Sequence, residues 1–399
     1  MSLVAKPRVN KSEIQEASAR TNTFTITIVT ETYLPEVNGV SNTLSHLVEG
    51  LLRYPNVSVQ LVRPGQSTCD TSLQKDCFEE FVVQGLPIPG YTEMHFGLPC
   101  KNRLLKLWRE KTPNAIYIAT EGPLGLSALK AAKQLSIPVL SGFHTNFHSY
   151  IQHYHLPWAK PLVFRYLRKF HNKTAGTLAP SEFQAQQLRS EQFENVQVMG
   201  RGVDIELFSP EKRDQTLRES WGLKPDDIAL IHVGRLSAEK NIDLAIQAFE
   251  QVRKQKPKTK LVIVGEGPIC GELKRNADPQ IVLCGKKSGE ELAKHYASGD
   301  VFLFPSMTDT FGNVVTEAMA SGLAVVSFDY AAGQMHIKPG VSGYLAPLGD
   351  QQKFIDLCIH AVTQKEKLKS IKIQSRLVAE TLGWNSIVEQ FKSTLEKIR

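Results

Sequence analysis

The chain has 399 residues, 42% hydrophobic and 22% charged, with a net charge of +7. That length suits two domains rather than one, and the apolar share is enough for full cores. No apolar run reaches the roughly 18 residues of a membrane span, and six cysteines without a Cys-x2-Cys pair read as thiols in a reducing cytoplasm.

Residues 1–22 are polar, lack the apolar stretch of a signal peptide and read as a flexible extension. Residues 24–30 read as a strand; Val40, Leu44, Leu47, Val48 and Leu51 then recur at helical spacing, and 57–62 is a strand again. Further strands are expected at 81–83, 115–119, 137–141, 175–178 and 196–198, with helices near 101–110, 124–135, 159–172 and 181–191. Around 200–210, glycine and proline break both periods, which marks a seam. Beyond it the plan repeats. Strands are expected at 228–233, 261–264, 281–284, 301–304 and 323–327, and helices near 241–255, 289–297, 312–321 and 351–365. The alternation predicts an α/β fold of two Rossmann-like, doubly wound domains, 23–200 and 201–383, facing an interdomain cleft. An amphipathic helix over 384–399 closes the chain.

The basic excess leans to the first half, with 20 Lys and Arg against 15 Asp and Glu in residues 1–200 and 27 against 25 in the rest. Residues 122–181 contain neither acid, a local basic face suited to phosphate-bearing substrates or an anionic membrane. No nucleic-acid reader motif accompanies it, so nucleic acid is not expected as a partner.

Four stretches carry candidate chemistry. Leaving the first strand, Tyr33-Leu-Pro35-Glu-Val-Asn38-Gly39-Val40 puts a glycine where a helix opens, letting a phosphate approach free N–H groups; a plain βα loop that needs a glycine reads the same way. Next, Gly142-Phe-His144 follows the 137–141 strand and starts a run of four histidines ending at His155. The spacing of His144 and His148 fits a helical metal pair, but no Glu follows His144, and no metal is expected. Then Gly234-Arg235-Leu-Ser-Ala-Glu-Lys240-Asn241 sets a planar fork and a point charge at a strand exit, a pair suited to a diphosphate; two solvated loop cations are the plain alternative. Finally, Asp309-Thr-Phe311-Gly312-Asn313-Val-Val-Thr-Glu317 lies after the 301–304 strand. If a helix opens near Gly312 or Asn313, its N–H groups lie between two carboxylates, and the whole suits a polyol carrying phosphate. An ordinary βα unit with a solvated Glu gives the same residues. The Gly265-Glu-Gly267 pair lacks the third glycine of a dinucleotide fingerprint and reads as scaffold.

These motifs, in this order over residues 24–399, resemble the retaining glycosyltransferases of the GT-B fold, specifically the GT4 group. The last stretch resembles that group's Glu-x7-Glu motif, with Asp309 as first acid, as in a branch resembling GDP-mannose-dependent mannosyltransferases. The resemblance implies an N-terminal acceptor-side domain, a C-terminal nucleotide-sugar domain and a terminal helix crossing back to the first. It also implies roles. Arg235, Lys240 and Gly39 would hold the donor's phosphates, and Asn38 would line the cleft beside them. Asp309, Phe311, Gly312 and Asn313 would hold sugar hydroxyls, Glu317 the ribose and His144 the transferred sugar. Gly285 and Lys286 would meet the nucleobase.

The implied reaction needs no cofactor and no metal. It moves a hexose, mannose favoured, from a nucleotide diphosphate sugar to a hydroxyl of a lipid-linked or cell-envelope glycan, with retention. GDP-mannose is the favoured donor, with a UDP-hexose as the alternative. The enzyme would be cytoplasmic or peripheral on an anionic membrane surface. Two other classes stay open: a sugar-nucleotide epimerase or phosphorylase on the same fold, and a non-catalytic sugar-nucleotide-binding protein.

Overall fold

The computed structural model describes residues 23–36, 38–65, 72–88, 91–144, 160–275 and 278–398. Its first sheet contains β1 (Phe24–Val29), β2 (Val57–Pro64), β3 (Gln74–Lys75) and β4 (Phe78–Val83). A separate antiparallel hairpin of β5 (Gly85–Ile88) and β6 (Tyr91–Gly97) follows. The first sheet then resumes with β7 (Ala115–Ile118), β8 (Val139–Gly142), β9 (Gly176–Ala179) and β10 (Val196–Val198). Its order is β10-β9-β8-β7-β1-β2-β4-β3, with only the edge strand β3 antiparallel.

The second sheet is built from β11 (Ala229–Val233), β12 (Lys260–Val264), β13 (Ile281–Gly285), β14 (Val301–Phe304), β15 (Ala324–Phe328) and β16 (Gly343–Ala346). It is parallel throughout, in the order β13-β12-β11-β14-β15-β16. Parallel neighbours need long crossovers, here mostly helices, which cover both faces. Adjacent residues of one strand therefore enter different cores. Leu230, Leu261 and Leu303 pack with Phe249 and Phe354 on one side, while Ile231, Val262 and Phe302 pack with Tyr296 and Val315 on the other.

Both strand orders reverse beside their first strand, between β1 and β7 and between β11 and β14. At such a reversal the outgoing loops diverge to opposite faces and open a crevice at the carboxyl ends of the strands. The exits of β1, β8, β11 and β14 are the four stretches that the sequence singles out.

The helix Trp384–Lys397 buries Ile387, Val388, Phe391 and Leu395 in a layer shared with β1, β7 and the helix Gly39–Leu51. Small residues let it approach. A Cβ on Gly202 would stand 2.5 Å from the Trp384 ring, and one on Gly50 2.4 Å from Val388. His46 stacks on the Trp384 ring with centroids 4.5 Å apart.

Asp300 fastens the base of β14. It accepts from the Ala229 N–H at the start of β11 (2.9 Å) and pairs with Arg213 (3.0 Å), Arg218 (3.0 Å) and Lys372 (3.1 Å). Burial by itself would raise its pKa; the three cations and the N–H outweigh that and hold it below the ordinary carboxylate range. Asp300→Asn strands the fully buried Arg218 without its counter-charge. Urea unfolding at neutral pH is expected to show a loss of about 3–5 kcal/mol. Because the folded-state pKa is depressed, the contribution is present above the unfolded carboxylate value and fades as pH falls through the folded one. The gap between variant and wild type should therefore narrow in acid.

Candidate functional site

The second sheet supplies one wall. Leaving β11, the chain makes a 3-10 turn at Ala238–Lys240 and passes through Asn241, which is left-handed at φ 53°. The helix Ile242–Gln255 follows. Lys240 is thereby directed at the exit of β14, where its Nζ lies 2.6 Å from Asp309 Oδ1. Ser306 Oγ donates to the other carboxylate oxygen at 2.5 Å, and the Tyr330 hydroxyl donates to the Asp309 carbonyl. Arg235 behaves differently. Its guanidinium pairs with Glu239 at 2.7 Å, and its side chain is 69% exposed. The two cations expected to converge on one anion are here each held by a different acid.

The turn between the two acids ends at Gly312, whose φ of 89° is the left-handed region that glycine tolerates best. Gly312 caps the helix Asn313–Ala320 without any side-chain bond to its first N–H groups. Phe311 is fully buried, and its carbonyl accepts from the Ala332 N–H at 2.8 Å. Its ring is therefore packing, and only its backbone can serve a ligand. Glu317 stands about one turn into the helix and accepts from the Tyr296 hydroxyl at 2.9 Å. Burial pushes its carboxyl up to about 7, although the Tyr296 hydrogen bond pulls the other way.

Gly285 ends β13 at φ 68°, with its carbonyl accepting from the Gly265 N–H at 2.9 Å; Lys286 beside it is exposed. Gly265 and Gly267 have a packing reason. A Cβ on the first would sit 1.8 Å from the Gly234 carbonyl oxygen, and one on the second 2.2 Å from that of Leu236. They let the β12 exit lie against the Gly234–Leu236 backbone, which agrees with a scaffold and not a dinucleotide loop.

The first sheet supplies the opposite wall. Asn38 caps the helix Gly39–Leu51 by accepting from the Val40 (3.0 Å) and Ser41 (2.9 Å) N–H groups, while its amide donates to Thr32 Oγ1 at 2.6 Å. Its side chain is thus committed within the loop. Nearby, Glu31 caps the helix Pro123–Gln134 through the Leu124 N–H at 2.9 Å, and burial raises its carboxyl to about 7. His144 is buried with Nε2 2.6 Å from the Tyr117 hydroxyl and Nδ1 without a described partner. Burial, then the charge of Arg201, then His171 lower its pKa to about 3, so the ring is neutral at physiological pH.

A serine–histidine–glutamate chain also runs under β8, with Ser141 Oγ 2.8 Å from His171 Nδ1 and His171 Nε2 3.0 Å from Glu121. Ser141 is fully buried and also bonded to Thr174 at 3.0 Å, so this is an interior network rather than an exposed nucleophile.

Two residues near the site escape the motif reading. Arg201, just past β10, is buried, with Nη1 3.4 Å from Asn313 Oδ1 and its guanidinium carbon 6.0 Å from the Phe311 ring centroid. The signal was an arginine between two glycines at a strand exit, in a stretch that reads as a mere seam. His232 on β11 donates through Nδ1 to the Leu303 carbonyl (3.0 Å), while its Nε2 is buried and unpartnered. The two walls touch directly at Ser181, whose Oγ donates to the Thr310 carbonyl at 3.3 Å.

Among the described residues, no three His, Cys, Asp or Glu side chains gather as a metal-binding group. His148, His153 and His155 of the histidine run lie outside the described residues.

Comparison with known proteins finds two family profiles side by side. "Glycosyltransferase Family 4" matches residues 37–207, and "Glycosyl transferases group 1" matches residues 227–364. A GDP-mannose-dependent alpha-mannosyltransferase of Mycobacterium tuberculosis is 32% identical, over 94% of this chain and 97% of its own. One of the same description from Corynebacterium glutamicum is 32% identical over 82% and 77%. Among solved structures, sucrose-phosphate synthase from Thermosynechococcus elongatus superposes with a TM-score of 0.74 at 18% identity, over 94% of this chain and 99% of that one. That likeness is one of fold.

The Glu317 environment is open to direct measurement. Tyr296→Phe removes the one hydrogen bond that favours the carboxylate, so the Glu317 pKa is expected to rise further above about 7. A carbon-13 titration of labelled glutamate reads this; an unchanged or lower value would contradict the assigned contact. Since the folded pKa is already raised, this group stabilises the fold most below its unfolded value, and that contribution is lost as pH rises through about 7.

Proposed function

The chain belongs to glycosyltransferase family 4, and from that premise we propose that it transfers mannose from GDP-mannose to a hydroxyl of a lipid-linked or cell-envelope glycan, with retention of configuration. Membership of the family, with the GT-B fold, makes it a hexosyltransferase that uses a nucleotide sugar and a hydroxyl acceptor. The choice of guanine and mannose is the finer step. It is supported by the alpha-mannosyltransferase of M. tuberculosis, similar over nearly the whole chain, and by the aspartate at position 309.

The observation that carries the reading is the Lys240–Asp309 pair at the switch point between β11 and β14. An ammonium has three donors, and Asp309 takes one, so Lys240 can also meet a phosphate oxygen. Asp309 and the N–H groups of Phe311, Gly312 and Asn313 then accept from and donate to sugar hydroxyls. Glu317 takes the ribose, Gly285 and Lys286 border the base, and neutral His144 lies against the transferred sugar. Arg235 leaves Glu239 to join the diphosphate, an exchange that suits an exposed pair held by little energy.

In the reaction the bond from the anomeric carbon to the phosphate oxygen breaks and the acceptor oxygen bonds to the same face. The acceptor proton passes to the departing diphosphate. Charge grows on that leaving group, and preorganised cations and helix N–H groups stabilise it. This reading assigns the task to side chains and backbone of this chain, with no metal required.

The acceptor side rests on the surface. The helix Lys160–His171 turns Leu167 and Phe170 inward but leaves Leu162 61% and Tyr166 40% exposed beside Arg165 and Lys169. In the helix Lys101–Glu110, by contrast, Leu104, Leu105 and Trp108 are buried, and the exposed residues are the polar and charged Asn102, Arg103, Lys106, Arg109 and Glu110. No described helix is long and apolar enough to cross a membrane. Cations near an anionic surface gain roughly 1 kcal/mol each, and Leu162 can dip into its interface, while the Tyr166 hydroxyl donates inward to the Glu121 carbonyl at 2.6 Å.

Two measurements test these points. In a thermal-shift screen of GDP-, UDP- and ADP-sugars, GDP-mannose is expected to give the largest rise, and Glu317→Ala to weaken GDP binding by roughly 1–3 kcal/mol. A larger shift with a UDP-sugar would overturn the donor. In co-sedimentation, binding to anionic vesicles should fall with salt and with Leu162→Glu; equal partition to neutral and anionic vesicles would remove the membrane from the acceptor side.

A further inference from the structure

Arg201 presents a charge problem. It is only 7% exposed, and its pKa is lowered by burial to about 10, so it stays charged. Among the described residues it has no ion pair; Nη1 has a single long bond to Asn313 Oδ1 at 3.4 Å, and Nε is buried without a partner. Buried guanidinium groups ordinarily have a carboxylate or several carbonyl acceptors. Arg218, in the same protein, has both.

The position of Arg201 sharpens the problem. Its Nη1 lies 3.1 Å from where a Cβ of residue 39 would stand, so any side chain there would press on the guanidinium. Gly39 is the first residue of a 13-residue helix with no acid in its first turn. Asn38 satisfies the N–H groups of Val40, Ser41 and Asn42, and that of Gly39 has no described partner. A helix N-terminus carries partial positive charge. A buried cation pressed against it is repelled unless an anion sits between or beside them.

We propose that Arg201 and the Gly39 N–H form an oxyanion notch that takes the terminal phosphate of the donor's nucleoside diphosphate. The reading rests on the proposed donor chemistry and adds to it a residue outside the Arg235–Lys240 motif. Arg201 reaches Gly39 on one wall of the cleft and Asn313 on the other, so the bound phosphate is gripped from both domains at once. The departing oxygen is then met by a fork already fixed in place. Arg235 must first leave Glu239 and the solvent, whereas Arg201 has no described carboxylate to leave.

The test compares GDP with GMP, and UDP with UMP, by calorimetry on wild type, Arg201→Met and Arg201→Lys. The methionine variant should bind the diphosphate of the preferred base about tenfold or more weakly, as for loss of charge-assisted bonds. The monophosphate should change by less than about threefold, because it lacks the group the notch holds. Lysine should recover part of the loss, having charge without the fork. The melting temperature of the ligand-free methionine variant should not fall, since an unpaired buried charge has been removed.

Equal weakening of mono- and diphosphate, or unchanged diphosphate affinity, overturns the notch. A lower melting temperature with unaltered affinities would mean a structural arginine and overturns it too. Wild type that binds none of the four nucleotides would instead sink the donor reading, and the notch with it.

Discussion

The ion pair between Lys240 and Asp309 joins the two strand exits on which the cleft is built. β11 and β14 are neighbours in the second sheet, but their outgoing chains lead to different helices, and nothing in the sheet's hydrogen bonding holds those loops together. A bond at 2.6 Å between side chains each 18% exposed does so. Ser306 and Tyr330 then fix the acid from two further directions, leaving the turn that follows few ways to lie. Phe311 drops into the core at its end, and Gly312 takes the left-handed conformation that starts the helix. The backbone N–H groups at that helix start are thereby aimed by packing and charge pairing together. Asp300 does the corresponding work at the other end of β14, so the strand is pinned at both ends by acid–base contacts.

Close backbone approach explains the glycines that surround this arrangement. Gly265 and Gly267 lie against the carbonyls of Gly234 and Leu236, and Gly202 lies under the Trp384 ring. None of these positions needs to touch a ligand to be sensitive. A side chain at 265 or 267 would push the β12 exit off the β11 exit, and Lys240 starts only a few residues further along. The same residue type that marks a phosphate loop elsewhere here sets the spacing between two loops. The absence of a third glycine in the Gly265-Glu-Gly267 pair agrees with this physical role.

How far the sequence could be read depended on how local each cause was. Strands made of continuous branched and aromatic residues, such as 24–30 and 301–304, appear as Phe24–Val29 and Val301–Phe304. The hairpin β5–β6 was not expected, because Gly85 and Pro87 break the alternation that a strand shows. β16 escaped as well, a four-residue strand opening on glycine. The helix Lys365–Glu380 was missed because its buried positions, Leu368, Ile371, Ser375 and Ala379, form a thin stripe among lysines. In the site, the helix start at Asn313 followed from spacing. The partners did not: which acid Arg235 chooses is a matter of side-chain rotamers. What Arg201 meets depends on a residue 112 positions away.

The titratable groups of the cleft divide in a way that bears on its chemistry. Burial holds His144 at about 3, and His232 and His336 at about 4, so the three rings are neutral at physiological pH. A neutral histidine can donate one hydrogen bond and accept another, but it adds no positive field. Positive charge facing a ligand therefore comes from lysine, arginine and helix ends. Among the shifted carboxyls, Glu317 and Glu31 are raised to about 7 by burial, and only Glu317 lies on the helix that opens at Asn313. A ligand hydroxyl bonded to Glu317 would add a second donor to that of Tyr296, drawing its pKa down and releasing a proton on binding. On the proposed donor reading, hydroxyl recognition at Glu317 would therefore be coupled to a proton. The raised acid Glu317 stands on the helix that opens at Asn313, apart from the Lys240–Asp309 pair at the exit of β14.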